Sequence, residues 1–275
     1  MQRCKVLEKR NSKVDYKKPP IPRGFEYVCG EWYNGFVVES RFDRCQFVWV
    51  PVSVLKANGT LDGRNFSEKF GRRSFKDEDE FSADKFHEQV TAELSMQVES
   101  VRKYGGFYIS RYCISKYAPS KKPMSVKGMF PWTGMDFSHA KMFAEWFESS
   151  SEVSSHLMYG AEYDTVMEWI IESGAKTWKE VVKYSSNWGN YWNSPEAARC
   201  IATLGSRKEW CVNNIFDLAG NVKEWTQERF DDCYHVLRGG SHYDDGISHP
   251  VVKRTPIRND YVYYSAGLRV TLCLK

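Results

Sequence analysis

Short apolar runs bounded by glycine, proline or polar residues occur early in the chain and again just before its middle. They predict strands at 25–31, 36–39, 47–51 and 106–115, of which the first ones form a hairpin. Between the third and fourth runs the chain is polar, with Asn-Gly, Asp-Gly and an acidic run, which predicts an insertion loop over 55–84. The pattern therefore favours short strands separated by one long loop.

Apolar residues return at helical spacing at the end of this insertion, at Phe86, Val90, Leu94, Val98 and Val101. The spacing predicts an amphipathic helix over about 82–104, with its apolar stripe on the core and two glycines as its stop. Further helices are expected at 137–149, capped by Asp136, and at 161–172. In the last of these helices we interpret Glu162 as a structural residue.

The 275-residue chain is 42% apolar and 15% aromatic, which is enough to build a core. Its formal charge of +4 comes from Lys and Arg scattered among nearly as many acids, so we expect no nucleic-acid interface. No apolar run approaches the roughly 20 residues of a membrane helix, and we expect no membrane insertion. The composition indicates a globular protein.

Residues 1–20 are expected to form a polar, Lys-rich arm and a proline-rich linker, and residues 21–275 the folded domain. The arm lacks the apolar core of a secretory signal, so we expect synthesis in the cytoplasm without a signal peptide. The eight cysteines lie far apart without a Cys-x-x-Cys pair, which favours reduced thiols over a disulfide scaffold. A phage virion protein, released by lysis, would satisfy both observations.

Three glycine-containing blocks, at 213–226, 236–241 and 266–270, combine apolar residues with charged or amide side chains. This combination predicts backbone held in special conformations beside a polar site. In the first block, Asp217 and Glu224 place two carboxylates around a small, turn-prone sequence. Carboxylates and backbone carbonyls from one short loop are oxygen ligands of the kind that Ca²⁺ takes. A solvated turn with Glu224 on the surface is the alternative that this block alone leaves open.

The three blocks together resemble the formylglycine-generating enzyme family, whose members have a variant of the C-type lectin fold. The resemblance rests on 217–225 (Asp-Leu-Ala-Gly-Asn-Val-Lys-Glu-Trp), the Arg-Gly-Gly-Ser at 238–241 and the Gly-Leu-Arg at 267–269. It implies an α+β fold class, with mixed short strands and a few packed helices. Upstream segments that resemble the family's first two strands and its acidic-aromatic helix are 47–51, 106–112 and 157–169.

The resemblance also implies a metal site and a scaffold. Arg238 and Arg269 are expected to be scaffold residues that clamp carboxylates or carbonyls. A second calcium site of the family would include Asn190 or Asn193. The first calcium ion would be held by the side chains of Asp217 and Glu224 and the carbonyl oxygens of Leu218, Gly220 and Val222.

The enzymes of this family use a pair of cysteines that precede an arginine. If Arg254 is that arginine, the two positions fall near Gly246 and Val251. No cysteine lies between Cys233 and Cys273, so the thiolates needed for copper binding or redox catalysis are missing there. We therefore expect a protein that is not an enzyme.

Residues 241–266 contain no Glu, Gln, Met or Trp and are rich in Tyr, Asp, His, Ser and Asn. An asparagine codon ending in C encodes such residues when its adenines are replaced, as in the variable proteins of diversity-generating retroelements. Tyrosine gives rigid contact area at low entropic cost, and small polar residues adapt their hydrogen bonds. A tyrosine-rich loop that binds nothing is equally compatible with the composition, but its position in the family fold favours a variable binding region at 238–275.

We therefore interpret the chain as a ligand-recognition protein whose partner is an unknown protein or glycan on a cell surface. An enzyme of the formylglycine-generating or sulfoxide-synthase type and a fixed phage structural protein are the alternatives. We interpret His235, His242 and His249 as surface histidines, since no Cys or Asp cluster accompanies them for zinc. Trp188 and Trp192 are interpreted as core residues, with a contact role left open. The expected contact residues are His242, Tyr243, Asp244, Asp245, Ile247, Arg258, Asn259, Asp260, Tyr261, Tyr263 and Tyr264.

Overall fold

The strands of the protein are short and pair mainly in two sheets. This computed structural model describes residues 18–52, 70–75, 85–148 and 150–275. The helices are α1 (Ala92–Tyr104), α2 (Phe137–Trp146), α3 (Gly160–Glu172) and α4 (Trp178–Val182). The strands are β1 (Phe25–Cys29), β2 (Val37–Ser40), β3 (Gln46–Pro51), β4 (His87–Glu88), β5 (Gly106–Ser110), β6 (Ser115–Tyr117), β7 (Lys122–Met124), β8 (Val153–Leu157), β9 (Cys211–Val212), β10 (Ile215–Phe216), β11 (Lys223–Arg229), β12 (Tyr234–Arg238), β13 (Thr255–Arg258), β14 (Ala266–Leu268) and β15 (Val270–Leu274).

The larger sheet contains six antiparallel strands in the order β1-β2-β3-β5-β15-β8. The C-terminal strand β15 lies inside this sheet, between β5 and β8. Successive side chains of a strand point to opposite faces, and both faces are covered here. Val48 and Val50 of β3 pack in the core cluster that includes α3, whereas Phe47 and Trp49 pack in the cluster that includes α2.

The smaller sheet brings the three glycine-containing blocks together. Its strands follow the order β13-β12-β11-β14, and β4 pairs with the far end of β11. β11 follows the first block, β12 ends in the second, and β14 opens the third. Because β11 is antiparallel to β12 and parallel to β14, residues Glu224, Arg238 and Gly267 lie side by side in this sheet.

The α+β fold class is confirmed, and most predicted strands occur with small shifts. The strands predicted at 25–31, 36–39 and 47–51 correspond to β1, β2 and β3. The strand predicted at 106–115 is interrupted, because β5 ends at Ser110 and the chain then begins the separate β6–β7 hairpin. The prediction of one continuous strand was therefore wrong at this point.

The helix predicted over 82–104 begins later than expected. Thr91 caps α1, since its Oγ1 accepts a hydrogen bond from the backbone N–H of Leu94 at 3.0 Å, and β4 occupies part of the preceding segment. Gln97 and Ser100 are buried on this helix, whereas Val90 lies outside it and is exposed. The predicted apolar stripe lies on the core at Val98 and Val101, but α1 also packs on a polar cluster described below.

The other two predicted helices are confirmed as α2 and α3. Asp136 caps α2 as expected, with its Oδ1 accepting a hydrogen bond from the His139 N–H at 2.9 Å. Glu162 is buried at the start of α3, and its carboxylate accepts a hydrogen bond from the Tyr159 N–H at 2.8 Å, which confirms its structural role. No helix among the described residues is long and apolar enough to cross a membrane.

The insertion predicted over 55–84 is described only at 70–75, and this part is not a solvated loop. Phe70 and Phe75 are both buried in the core cluster that contains α3. The insertion therefore returns to the core here, which the polar composition of the surrounding segment did not indicate. The rest of the insertion and residues 1–17 of the predicted arm lie outside the described residues.

Candidate ligand-binding site

Arg269 ties the two sheets together beneath the candidate site. Its Nη2 donates to Glu224 Oε1 at 2.7 Å, and its Nε lies 3.0 and 3.1 Å from the two carboxylate oxygens. Its Nη1 donates to the Ser110 carbonyl at 2.7 Å, and Nη2 also donates to the Phe216 carbonyl at 3.0 Å. Arg269 is fully buried, so the predicted clamp is confirmed and joins β11 of one sheet to β5 of the other.

Arg238 and Arg254 form a second, buried ion network. Arg238 donates to Glu228 at 2.9 Å and to Asp164, and Arg254 donates to the same two carboxylates at 2.9 and 2.8 Å. Burial alone would raise the pKa of Glu228, but Arg254, Arg238 and Arg72 outweigh it and hold this pKa below its ordinary value. We call residues 241–265 the candidate segment. Arg238 precedes this segment and Arg254 ends its first half, so the network fixes both ends of that half.

Two glycines turn the chain out of β12 towards the candidate surface. Gly239 and Gly240 have φ angles of +94° and +69°, a region that favours glycine. A Cβ atom on Gly240 would lie 2.5 Å from Cε1 of Tyr191, and the Tyr191 hydroxyl donates to the Gly239 carbonyl at 2.8 Å. The special backbone conformation expected of this block is confirmed, and it is packed against a buried ring.

The carboxylates in the first half of the segment are engaged within the protein. Asp244 Oδ2 accepts hydrogen bonds from the Ser241 N–H at 2.8 Å, the Ser241 hydroxyl at 2.7 Å and Lys223 Nζ at 2.6 Å. Burial raises the pKa of Asp244, but Lys223 and Ser241 outweigh it, and the net pKa is lowered. Asp245 Oδ1 accepts the Ser248 N–H at 2.7 Å. Both predicted contact residues therefore hold the turn.

The polar residues of the second half are also paired internally. The Asn259 side chain bonds the His235 ring at 2.7 Å and donates to the Asp232 carbonyl at 3.1 Å. Arg258 and Asp260 form an exposed ion pair at 2.8 Å. Burial lowers the pKa of His235 to about 4. The interpretation of His235 as a surface histidine was wrong, because its ring is buried and stacked within the protein.

Two further predicted contact residues lie mostly inside the protein. His242 is only 4% exposed, and its Nδ1 lies 2.9 Å from the Asn221 carbonyl oxygen. The expectation of a surface histidine was wrong for His242 as well, whereas the side chain of His249 is more than a third exposed. Tyr263 is half-buried against the core, and its ring centroid lies 5.8 Å from Lys223 Nζ. These side chains support the surface from below.

Four of the aromatic and aliphatic predicted contact residues project into solvent. Tyr243 and Tyr264 are 74% and 79% exposed, and Ile247 and Tyr261 are each more than half exposed. Most polar members of the predicted set therefore bond within the protein, while four of its five tyrosine and isoleucine members point outward. Isolated exposed aromatic rings are ordinary, but a group of them on a held backbone is typical of an interaction surface.

Trp192 adds a fifth exposed apolar side chain that the sequence interpretation assigned to the core. Its side chain is 57% exposed, and its backbone N–H donates to the backbone carbonyl of Asp244, next to Tyr243, at 3.1 Å. The interpretation was correct for Trp188, which is buried. The signal in the sequence that indicates exposure of Trp192 is its position in a polar loop between Asn190 and Asn193. We call the side chains Trp192, Tyr243, Ile247, Tyr261 and Tyr264 the aromatic face.

The two positions that correspond to the enzymes' cysteines, Gly246 and Val251, present no side chain to solvent. A Cβ atom on Gly246 would lie 2.3 Å from the Ser186 nitrogen, and Val251 is fully buried in the core. Cys211 and Cys273 occur elsewhere in the described chain, and burial raises the pKa of each to about 11. Neither of these thiols is disposed to form a thiolate near neutral pH.

The loop assigned to calcium by the resemblance is buried. Asp217 has a φ of +56°, and its Oδ2 accepts the Gly205 N–H at 2.8 Å. Its buried Oδ1 accepts no hydrogen bond from the described residues, and burial raises the pKa of Asp217 to about 6. Glu224 Oε2 has only the 3.1 Å contact with Arg269 Nε. Each carboxylate therefore retains an oxygen able to accept a further partner.

The remaining donors of this loop are backbone carbonyls. Those of Leu218, Gly220 and Val222 accept no backbone hydrogen bond in the loops and turns of the described residues. Hard cations such as Ca²⁺ take carboxylate and carbonyl oxygens together. No group of three or more His, Cys, Asp or Glu side chains within the described ranges is arranged to hold a metal ion, so carbonyls would have to supply most of the shell. The donor chemistry fits calcium.

The residues considered for a second calcium site are bonded within the protein. The Asn190 Nδ2 donates to the Cys200 carbonyl at 3.0 Å, and its Oδ1 accepts the Ala198 N–H at 2.9 Å. Asn193 Oδ1 accepts the Gly246 N–H at 3.1 Å. Both amides thus hold the loop of Trp192 and the turn of the candidate segment in place.

Residues 77–272 match the sulfatase-modifying factor enzyme 1-like domain. This match covers more than half of the chain. The chain belongs to this family. The resemblance to formylglycine-generating enzymes and the C-type lectin type of fold are thereby confirmed. No curated protein matches the chain in sequence.

Three solved structures resemble this chain at low sequence identity. PvdO from Pseudomonas aeruginosa has a TM-score of 0.50 at 16% identity, with 86% of this chain and 98% of that chain covered. The Treponema denticola variable protein 1 has a TM-score of 0.43 at 14% identity, covering 62% and 85%. CarF has a TM-score of 0.42 at 12% identity, covering 62% and 87%. At these identities the likeness shows the fold alone.

Proposed function

We propose that this protein is a ligand-recognition protein that presents the aromatic face to a protein or glycan on a cell surface. The observation that carries the proposal is the arrangement of residues 241–265. Their polar side chains mostly bond inward or to each other, while Tyr243, Ile247, Tyr261 and Tyr264 are exposed. A surface of this kind combines fixed backbone with replaceable contact groups, which is the division of labour in recognition proteins.

The groups that the aromatic face leaves available to a partner support binding. Asp244, Asp245 and Asn259 are engaged by the protein itself, and Arg258 neutralises Asp260. What remains for a partner is mainly aromatic and aliphatic area. Tyrosine and tryptophan rings give such area at low entropic cost, because each has only two side-chain torsions to fix. Contact with a partner would therefore depend on rings more than on ion pairs.

The same geometry offers little for the oxidase chemistry of the family's enzymes. That chemistry needs two thiolates, and the corresponding positions are Gly246, pressed against Ser186, and the buried Val251. Burial also raises the pKa of Cys113 and of Cys45 far above the ordinary value of a thiol. Recognition therefore accounts for the site better than catalysis.

Diversification of the segment is tested by sequencing the neighbourhood of the gene. We expect a reverse transcriptase gene and a near-repeat of the codons for residues 238–275 that differs only where adenines stand. Sister genes should then differ at the codons of Tyr243, Ile247, Tyr261 and Tyr264 and preserve Arg238. The absence of both features, with invariant sister sequences, would contradict diversification and favour a fixed site.

Binding through the aromatic face is tested with the purified, labelled protein on a panel of bacterial cells. The double variant Tyr243→Ser, Tyr264→Ser should lose attachment by at least tenfold and keep the melting temperature, because neither ring supports the core. Phe42→Ser is the matched control, since Phe42 is 89% exposed in the turn between β2 and β3. Equal attachment of wild type and double variant would refute the assignment of this face.

We propose further that the loop at 217–224 binds calcium through the oxygens described above. When bound, the ion would offset the buried charge of Asp217 and fix the loop that carries β11. A chelator should then lower the melting temperature of the wild type, and added Ca²⁺ should restore it. A melting temperature that responds to neither treatment would show that Arg269 alone supplies the positive charge at Glu224.

A further inference from the structure

A closed polar cluster lies between α1, α3 and the larger sheet, away from the aromatic face. Glu162 Oε1 accepts hydrogen bonds from Gln97 Nε2 at 2.7 Å and from His156 Nε2 at 3.0 Å, and Oε2 accepts the Tyr159 N–H at 2.8 Å. Gln97, His156 and Glu162 are all buried. The cluster joins α1 to β8 and the start of α3, which lie about 60 positions further along the chain.

Three buried polar atoms in this cluster have no hydrogen-bond partner among the described residues, namely Gln97 Oε1, His156 Nδ1 and Thr271 Oγ1. His156 and Thr271 are directly opposite each other on β8 and β15, so their side chains stand on the same face of the sheet. Val270 and Leu272 point to the other face, into the core cluster of α2. Gln97 and His156 converge on the same oxygen of Glu162. Gln97, His156 and Thr271 therefore lie on the same side of the larger sheet.

The hydrogen-bonding role of each atom follows from its partner. The Glu162 carboxylate only accepts, so Gln97 presents Nε2 to it and leaves Oε1 as an acceptor. For the same reason His156 Nε2 carries a proton, and Nδ1 of the neutral ring is an acceptor. The Thr271 hydroxyl both donates and accepts. A molecule that donates two hydrogen bonds and accepts one would satisfy all three atoms.

We propose that this cluster binds one internal water molecule, held by Gln97 Oε1, His156 Nδ1 and Thr271 Oγ1. Water is the smallest molecule with the required donors and acceptor, and buried waters typically make about three hydrogen bonds. It also suits the protonated ring, because Nδ1–H then donates to the water oxygen. A buried polar atom left without a partner destabilises the fold, so the water is an integral part of the structure.

A high-resolution crystal structure of the full chain tests the proposal directly. We expect one ordered water within hydrogen-bond distance of the three atoms, with a temperature factor like that of the surrounding side chains. In solution, the Thr271 methyl group should show a magnetisation transfer to a long-lived water. Direct bonds among the three side chains, or an ion in their midst, would overturn the proposal.

Substitutions provide a second readout. Thr271→Val keeps the shape and removes the hydroxyl, and should lower the melting temperature by about 2–4 °C, whereas Thr271→Ser should restore most of it. Because Thr271 and Gln97 share no direct hydrogen bond, a bridging water predicts non-additive losses for Thr271→Val and Gln97→Met. Thr226→Val is the matched control, since the Thr226 hydroxyl donates directly to the Val236 carbonyl at 2.9 Å. The control pair, Thr226→Val with Gln97→Met, should show additive losses. Additive losses also for Thr271→Val with Gln97→Met would contradict the bridging water. If a variant does not fold, the wild-type crystal structure decides.

Discussion

Replacing Glu88 by glutamine should abolish much of the loss of stability that the protein undergoes as the pH rises from 4.5 to about 8. Glu88 Oε1 accepts the Ala161 N–H at 2.8 Å at the start of α3, while its buried Oε2 has no partner among the described residues. Burial, with Glu228 and Glu162, raises its pKa to about 8 against the lowering effects of the Ala161 N–H and Arg72. The folded protein therefore holds Glu88 as the neutral acid in this window.

The sign and size of the effect follow from proton binding. The unfolded chain releases this proton near pH 4.5 and the folded protein near pH 8, so the folded state binds one more proton between them. Stability is therefore present below pH 4.5 and falls as the pH rises through the window. At about 1.4 kcal/mol per pH unit, the loss reaches about 3 kcal/mol by pH 7. Glutamine mimics the neutral acid and should remain stable.

Denaturant unfolding of wild type and Glu88→Gln across this pH range provides the assay. His156 has a raised pKa, because Glu162 outweighs the lowering effect of burial, so its stabilisation is also lost as the pH rises through that value. The contribution of Glu88 is therefore taken from the difference in the free energy of unfolding between variant and wild type at each pH. Glu99→Gln, on the exposed side of α1, is the control. Parallel pH curves for wild type and Glu88→Gln would refute the reasoning.

Three other substitutions test the scaffold and the loop. Arg269→Met should destabilise the protein by about 3–5 kcal/mol in denaturant unfolding, since it leaves the Glu224 carboxylate buried and unpaired, and adding Glu224→Gln should recover part of the loss. Gly240→Ala should cost at least about 1 kcal/mol, because its φ is +69° and the new Cβ would press on Tyr191, and unchanged stability would contradict this packing. Asp217→Asn should abolish any response of the melting temperature to a chelator, and a full response in that variant would exclude Asp217 as a calcium ligand.

The parts of the fold that could be predicted from the sequence are those fixed by nearby residues. Gly239 and Gly240 indicated a special turn because only glycine takes their backbone angles easily. The Asp136 cap follows from a side chain that bonds a backbone N–H three residues later. Arg269 was expected to clamp a carboxylate or carbonyl, whereas its pairing with Glu224, 45 positions away, is seen only in the structure.

The errors concern residues whose environment comes from distant parts of the chain. Gln97 is buried on α1 because Glu162, 65 positions away, accepts its hydrogen bond. His235 is buried because Asn259 and the stacked ring of Phe137 enclose it. A polar side chain in the sequence carries no mark of such a partner, so composition alone suggested a solvated position. The buried polar clusters of this protein were therefore outside the reach of periodicity.

Lys223 explains how the aromatic face can vary while its backbone does not. Its buried Nζ lies 2.6 Å from Asp244 in the first half of the segment and 5.8 Å from the Tyr263 ring centroid in the second. The two halves are thus joined from below by a residue of β11 outside the segment. Tyr243 and Tyr264, in contrast, are largely exposed and leave these contacts untouched. Substitutions at the exposed positions would therefore alter the surface offered to the proposed ligand with little cost in folding. A change at Asp244 would leave the buried ammonium of Lys223 without its carboxylate and loosen both halves.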